Sequence, residues 1–477
     1  MSKGTFGKTA SIYVVGNMLS KAVAFLLIPV FTKNLSSSQY GVLMSCTAFI
    51  GVLLPIISFE FRSAVKRIYV DIDEIGEKKK FVFSIFSVTV LSGFICLLVF
   101  ESFGEIISLS IFNNISYIPF IRLAVIATVL KLVTRIPIAV LQIQEKAFIF
   151  SIIKYGSSIA KLVLSVFLVV YFERAVEGAL EGVVLGNLVV LPFSLYVVYT
   201  NSLVAFSWSY VKEALSFSVP LIPHNLAHWF ASLSDRIILE NYAGPAEVGY
   251  YSLGYQLSQG IGFVATALAT AIMPYMINRH MIDGADGHFE KITKYYFLLM
   301  SCIGMLVVVS GPYVVRIISD PEYYTASYLV YPVAIGYVLL SFYHIPRIYL
   351  TISKNTVLIS IATIMSALFN VGLNFLLIPK YGARAAAWTT SLSYALLLIF
   401  ILILSNQYSN NNIKVFETIS ILSIVLITSS AFQMCILYYG LSVWFLPLFI
   451  SLIMFCVVFI YKFGYISYRE SYQVFNN

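Results

Sequence analysis

Eight basic residues fall inside long apolar runs: Lys21, Arg122, Lys131, Arg135, Lys154, Lys161, Arg236 and Arg347. A Lys or Arg at the middle of a bilayer costs about 2.5–3.5 kcal/mol on insertion scales, and the usual reason to keep one is an internal pathway. Acidic partners within the same runs are scarce, Glu60 and Asp235 being the obvious ones. An ion-pair network built only for structure would need more carboxylates, so the excess positive charge calls for an anionic cargo. Helical spacing puts Lys131 and Arg135 on one face and Lys154 and Lys161 on another. Counting about 1.5 Å per residue, Arg135, Lys154 and Arg347 lie toward one side of the membrane, Lys21, Lys131 and Lys161 near the middle, and Arg236 toward the other side. These seven form a ladder of candidate substrate-binding cations. Arg122 reads as a headgroup-seeking residue near a span end.

Other chemistry is sparse. His224, His228 and Asp235 share a face of the seventh run and read as polar cavity lining, with a proton relay as the functional alternative. Glu60, His224, His228 and Asp235 are therefore the candidate ion-coupling residues. No third ligand accompanies the His pair, so no metal is expected. Asp71-Ile-Asp73 sits among Glu74, Glu77 and Lys78–Lys80 and reads as a solvated charge run. No phosphate-binding glycine loop or nucleophile elbow is present, and neither catalysis nor a bound cofactor is expected. The five cysteines all lie in apolar runs without a C-x-x-C spacing and read as packing residues.

The elements that position these residues are transmembrane helices. The chain has 477 residues, of which 60% are hydrophobic and only 11% charged, and its mean hydropathy is +0.89. A soluble domain carries about 25% charged residues. A helix crossing the ~30 Å hydrocarbon core needs about 20 apolar residues. Such runs begin near Ile12, Tyr40, Phe81, Ile118, Phe148, Ala179, Phe217, Val248, Tyr295, Tyr328, Val357, Arg384, Glu417 and Val443. The sequence thus predicts an all-α integral membrane protein of about 14 spans. The first run carries Lys21 and lacks a cleavage-site pattern, so it is expected to be a retained helix. With the N-terminus in the cytoplasm, roughly 17 Lys and Arg fall on the cytoplasmic side against 5 opposite, which predicts that both termini are cytoplasmic. The net charge of +8 is spread over helix ends and interiors and builds no nucleic-acid face.

An internal repeat organises the spans. Arg135-Ile-Pro-Ile-Ala-Val-Leu141 reads against His344-Ile-Pro-Arg-Ile-Tyr-Leu350, and at the same offset Ser151 meets Ser360 and Lys161 meets Asn370. Gln39-Tyr-Gly-Val-Leu43 reads against Glu247-Val-Gly-Tyr-Tyr251 at nearly the same offset, and Gly178-Ala179 against Arg384-Ala385. The offset covers six spans, an even number, so the copies run in the same direction. The expected organisation is two parallel six-helix lobes, residues 1–205 and 206–410, around a central cavity. Two further helices and a cytoplasmic tail would follow in residues 411–477.

Several segments are similar to those of bacterial polysaccharide flippases of the O-antigen (Wzx) type, within the MOP exporter superfamily that also holds the MATE transporters. They are Ser20-Lys-Ala-Val-Ala-Phe-Leu-Leu-Ile-Pro-Val-Phe31, Gln39-Tyr-Gly-Val42, Ser234-Asp-Arg-Ile-Ile-Leu239 with Glu247-Val-Gly-Tyr-Tyr251, and Ile378-Pro-Lys-Tyr-Gly382 with Ala385-Ala-Ala387. The resemblance implies a flippase moving undecaprenyl-diphosphate-linked oligosaccharide from the cytoplasmic to the periplasmic leaflet of the bacterial inner membrane. It also implies an H+ or Na+ gradient as the energy source, and as partners membrane lipids and the polymerase and chain-length regulator of the pathway. Two alternatives stand beside it. A cation-coupled multidrug exporter would need acidic residues in the cavity, the opposite sign. An O-antigen polymerase would need a long outer loop, and no outer connection exceeds about one span in length.

Overall fold

The computed structural model describes residues 3–279 and 285–408. The two spans expected from Glu417 and Val443, and the whole 411–477 segment, lie outside the described residues. Within them the chain is a multi-pass membrane protein made of helices. Nine described segments are long and apolar enough to cross a bilayer.

The helices are α1 (Lys3–Asn34), α2 (Ser37–Ile57), α3 (Phe61–Asp71), α4 (Ile75–Ile111), α5 (Arg122–Ile143), α6 (Ala147–Val166) and α7 (Ala175–Asn201). They continue as α8 (Trp208–Ser218), α9 (Leu221–Ala243), α10 (Pro245–Arg279), α11 (Ala285–Ile318), α12 (Ser327–Ile352) and α13 (Thr356–Tyr408). Gly382, at φ +56, breaks α13 into the eleventh and twelfth expected spans. The seventh span begins at Leu221 rather than near Phe217, because residues 208–218 form the separate short helix α8.

Contacts divide the chain into two compact units: Met1–Ser252 with Ile318–Glu322 and Phe375–Ala383, and the remainder. In the first unit, α6 and α7 pack closely because Gly178, Gly182 and Gly186 recur every fourth residue on one face of α7. A Cβ on Gly182 would sit 2.6 Å from the Ser165 backbone, and one on Gly186 2.7 Å from the Lys161 nitrogen. Small residues at this spacing let two helix backbones approach in the membrane, where apolar burial adds little. Asn187, next on α7, accepts a hydrogen bond from Ser157 on α6 and donates one to the Ala127 carbonyl on α5, each at 3.2 Å.

The short amphipathic helices α3 and α8 cap the end of this unit where the even-numbered connections lie. Their apolar faces, Phe61, Ala64, Val65 and Ile68 on α3 and Val211 and Ala214 on α8, join Phe81, Val82 and Ile85 of α4 and Ile136, Ala139 and Val140 of α5 in one core. The Tyr210 hydroxyl of α8 donates to Glu77 at 2.7 Å. Burial and that carboxylate push the phenol up to about 12, so it stays a donor at any ordinary pH.

At the opposite end, the odd-numbered connections interlock. A Ser36–Gln39 capping box starts α2, and the Ser37 backbone and hydroxyl both donate to Glu322. The Asn113 and Asn114 amides donate to the carboxylate of Glu240 at 3.1 and 2.7 Å. The Ala383 amide donates to Glu247 at 2.8 Å.

In the second unit α12 is the buried centre. Gly254 of α10 and Gly311 of α11 face Leu329 and Val330 of α12, and Gly336 of α12 itself faces Ser391 of α13. Phe297 stacks on Phe342 with ring centroids 4.2 Å apart.

Candidate functional site

The first unit gathers most of the predicted cations. Span 2 ends at a tight turn in which Phe59 and Glu60 both take left-handed backbone angles, φ 46 and 51. Neither residue is a glycine, so the turn carries strain that surrounding contacts must hold. It aims Glu60 inward: Arg135 donates to both carboxylate oxygens at 3.2 Å and to the Ser58 hydroxyl at 2.9 Å. Arg135 is thus pinned and neutralised rather than free. Arg62 and Lys66 stand on the first turns of α3, Arg62 half-buried and Lys66 exposed.

Arg62 lies within range of the Arg135 charge, Lys66 within range of Arg62 and Lys154, and Lys161 within range of Lys131. By helical rise, Lys154 stands roughly 10 Å from the start of α6 and Lys161 roughly 20 Å, with Lys131 at a similar depth on α5. The cations therefore form two tiers: Arg62, Lys66, Arg135 and Lys154 near the even-connection end, and Lys131 with Lys161 at mid-depth. Lys131 is exposed on α5. The Asn187 clamp holds both deep lysines one turn beyond its contacts at Ala127 and Ser157. The Lys154 ammonium lies over Phe150 and Tyr155, 5.4 and 5.5 Å from the ring centroids.

The other predicted residues are placed differently. Arg236 is 3% exposed and donates to its neighbour Asp235 at 3.2 Å, while the Tyr251 hydroxyl also donates to Asp235. This is a buried ion pair with an aromatic lid, not part of the two tiers. Lys21 is exposed on α1. Arg347 belongs to the second unit, 5.8 Å over the Tyr343 ring. His224 and His228 lie on α9, and their side chains are outside the described residues. Arg122, read as headgroup-seeking, is exposed and paired with Glu101 at 2.7 Å. The repeat exposes an asymmetry: at the offset of 209, Lys131, Arg135, Lys154 and Lys161 correspond to Leu340, His344, Thr363 and Asn370. Asn370 is buried and accepts from Asn374 at 3.0 Å. Only the first copy carries the tiers.

A model of the polysaccharide biosynthesis protein family matches residues 6–280, more than half of the chain. The chain belongs to this family. A second model, MatE, matches residues 220–376 of this polysaccharide biosynthesis protein. It is similar to Lsg locus putative protein 1 of Haemophilus influenzae, 27% identical over 56% of this chain and 65% of that protein. An uncharacterized membrane protein of the same organism is also matched over 65% of its length, so the similarity spans about two thirds of these relatives. Over a longer stretch, 80% of this chain and 79% of the relative, it is 22% identical to the probable low-salt glycan biosynthesis flippase Agl15 of Haloferax volcanii. Its fold is that of the lipid II flippase MurJ in an inward closed conformation, with a TM-score of 0.75 at 15% identity, covering 95% of this chain and 99% of that one. It is also that of an inward-facing MATE family multidrug transporter of the MOP superfamily, with a TM-score of 0.69 at 11% identity over 81% and 94%.

The cationic character of the spans was legible in the sequence. Arg62 and Lys66 were not, because they lie in the short helix α3 beyond the apolar run of span 2. The Gly178–Gly182–Gly186 spacing that seats Lys161 was readable as a small-residue stripe.

Proposed function

We propose that this protein is a flippase that carries a lipid-diphosphate-linked oligosaccharide, an O-antigen or related repeat unit, from the cytoplasmic to the periplasmic leaflet by alternating access. The observation that carries this reading is the two-tier cation cluster of the first unit, whose nearby carboxylate, Glu60, is already held by Arg135. An anionic headgroup and acidic sugars would balance that charge while the lipid tail stays in the bilayer. The names of Agl15 and MurJ support the substrate class. The charge bias of the connections supports an orientation in the bacterial inner membrane with even connections and both termini cytoplasmic. The reading keeps the two lobes as residues 1–205 and 206–410, with transport driven by an H+ or Na+ gradient and coupled to a polymerase and chain-length regulator.

A second reading, a MATE-like multidrug exporter, is favoured by the MatE match and the shared fold. It predicts attraction of cationic drugs, which a cluster of Arg62, Lys66, Lys131, Lys154 and Lys161 would repel.

Deleting the gene separates the two. The flippase reading expects loss of surface polysaccharide with lipid-linked repeat units retained on the cytoplasmic leaflet. Normal polysaccharide with altered drug sensitivity would overturn it in favour of the exporter.

A further inference from the structure

We propose that the connection from α7 into α8, residues 199–208, is an interfacial anchor for anionic phospholipid at the even-connection end. Its apolar side chains would enter the leaflet, and Lys78 and Lys79 would meet the lipid phosphates above them. The inference does not depend on what cargo the protein carries.

The first observation is the surface itself. Tyr199 is 83% exposed and Val204 87%, and Leu203, Phe206 and Trp208 are each more than half exposed. The Phe206 and Trp208 rings stack with centroids 6.4 Å apart. Large apolar side chains gathered in this way mark a surface that meets another apolar phase.

The second observation is depth. Residues 202–207 are not helical, yet their backbone is tied to α4. The Leu203 amide donates to the Lys79 carbonyl at 3.2 Å, and the Ser207 amide donates to the Ser84 hydroxyl at 2.9 Å. From Lys79 to Ser84 the axis of α4 descends about 7.5 Å into its span. The segment therefore starts level with the Lys78–Lys80 run and dips below it. Helix α8 continues at that depth, where Val211 and Ala214 join Phe81, Val82 and Ile85 in one core. Irregular backbone exposed to lipid does not occur within the hydrocarbon, whereas the headgroup–acyl boundary accepts polar backbone and apolar side chains together.

The third observation is charge. Lys78, Lys79, Lys80 and Lys212 stand against Glu74, Glu77 and Glu213, and Glu77 is already held by Lys80 at 3.4 Å and by the Tyr210 hydroxyl. The Lys78 ammonium lies 5.4 Å over the Tyr69 ring, a contact that positions it without neutralising it. Cations above and aromatic side chains below repeat the order of phosphate and acyl chain in a leaflet. A soluble protein could cover the apolar patch only by reaching beneath the lysines, so the layering favours lipid.

The test uses the purified full-length protein in nanodiscs of equal phosphatidylglycerol and phosphatidylcholine, with one lipid or the other brominated in its upper acyl chain. The emission of Trp208 is the difference between wild type and Trp208→Phe, a conservative change at an exposed ring. Both brominated lipids should quench it, and brominated phosphatidylglycerol should do so about twofold or more strongly. Lys78→Gln/Lys79→Gln should bring that ratio to about one, and Lys78→Arg/Lys79→Arg should preserve it. Quenching by aqueous iodide in place of either lipid would overturn the proposal, leaving the patch to a soluble partner. Equal quenching by the two lipids in the wild-type protein would overturn the assignment to anionic lipid. That comparison needs no charge variant, so it decides the matter even if the glutamine variants fail to fold.

Discussion

Gly41 and Gly249 meet each other through the same atoms in reverse. A Cβ on Gly41 would overlap the Pro245 carbonyl and come within 3.1 Å of the Gly249 nitrogen; one on Gly249 would overlap the Ser37 carbonyl and come within 3.4 Å of the Gly41 nitrogen. Ser37 and Pro245 stand at the same offset as the two glycines. Reciprocity of this kind is the mark of an isologous interface, here formed between two copies inside one chain. The helix starts of α2 and α10 thus face each other across a local two-fold axis, at the end where Glu240 and Glu322 clasp backbone amides.

Because the contact is reciprocal, Gly41→Val and Gly249→Val should produce the same defect, each forcing a side chain into backbone that cannot yield. Surface polysaccharide should fall to a similar low level in both, with the protein still present in the membrane. Gly260→Ala is the control, since a Cβ there meets nothing within 4 Å. Unequal effects of the two valines would show that the local symmetry has no mechanical weight.

How much of this was legible in the sequence depends on which force was acting. The spans were readable because a bilayer accepts only long apolar helices, and the described span starts fall within or beside helices. Gly41 and Gly249, which the expected repeat pairs, meet in the structure. The amphipathic helices α3 and α8 were not readable, since eleven residues each carry no span signal. The cations were found by type, but their pairing was not: Arg236 looked like cavity lining and is tied to Asp235, while Arg62 looked like a loop charge and joins the cluster. Pairing depends on which helix faces are brought together, which spacing along one chain does not record.

The glycine stripe of α7 should be unforgiving at one position and permissive nearby. Gly182→Val pushes into the Ser165 backbone and should destabilise the protein by about 1–3 kcal/mol, an overpacking cost. Gly156→Ala on α6 meets only Val190, at 3.8 Å, and should be neutral or stabilising by about 0.5–1 kcal/mol through helix propensity. Thermal unfolding in detergent measures both.

The Arg135–Glu60 pair is largely buried, its side chains 17% and 7% exposed. Glu60→Gln leaves the guanidinium without its carboxylate and should cost about 3 kcal/mol, the lower end for a buried pair broken on one side. The double variant Glu60→Gln/Arg135→Gln should be more stable than Glu60→Gln alone. A strictly additive double variant would mean that the two side chains do not act as a pair.

The central claim is that the deep cations carry an anionic lipid-linked cargo across the bilayer. The direct measurement is the leaflet in which lipid-linked repeat units reside when Lys131→Ala/Lys161→Ala is the only copy, probed in spheroplasts with a membrane-impermeant reagent. The account predicts units protected from the reagent on the cytoplasmic side, with partial recovery in Lys131→Arg/Lys161→Arg. Wild-type levels of reagent-accessible units, made by a well-expressed alanine variant, would contradict it.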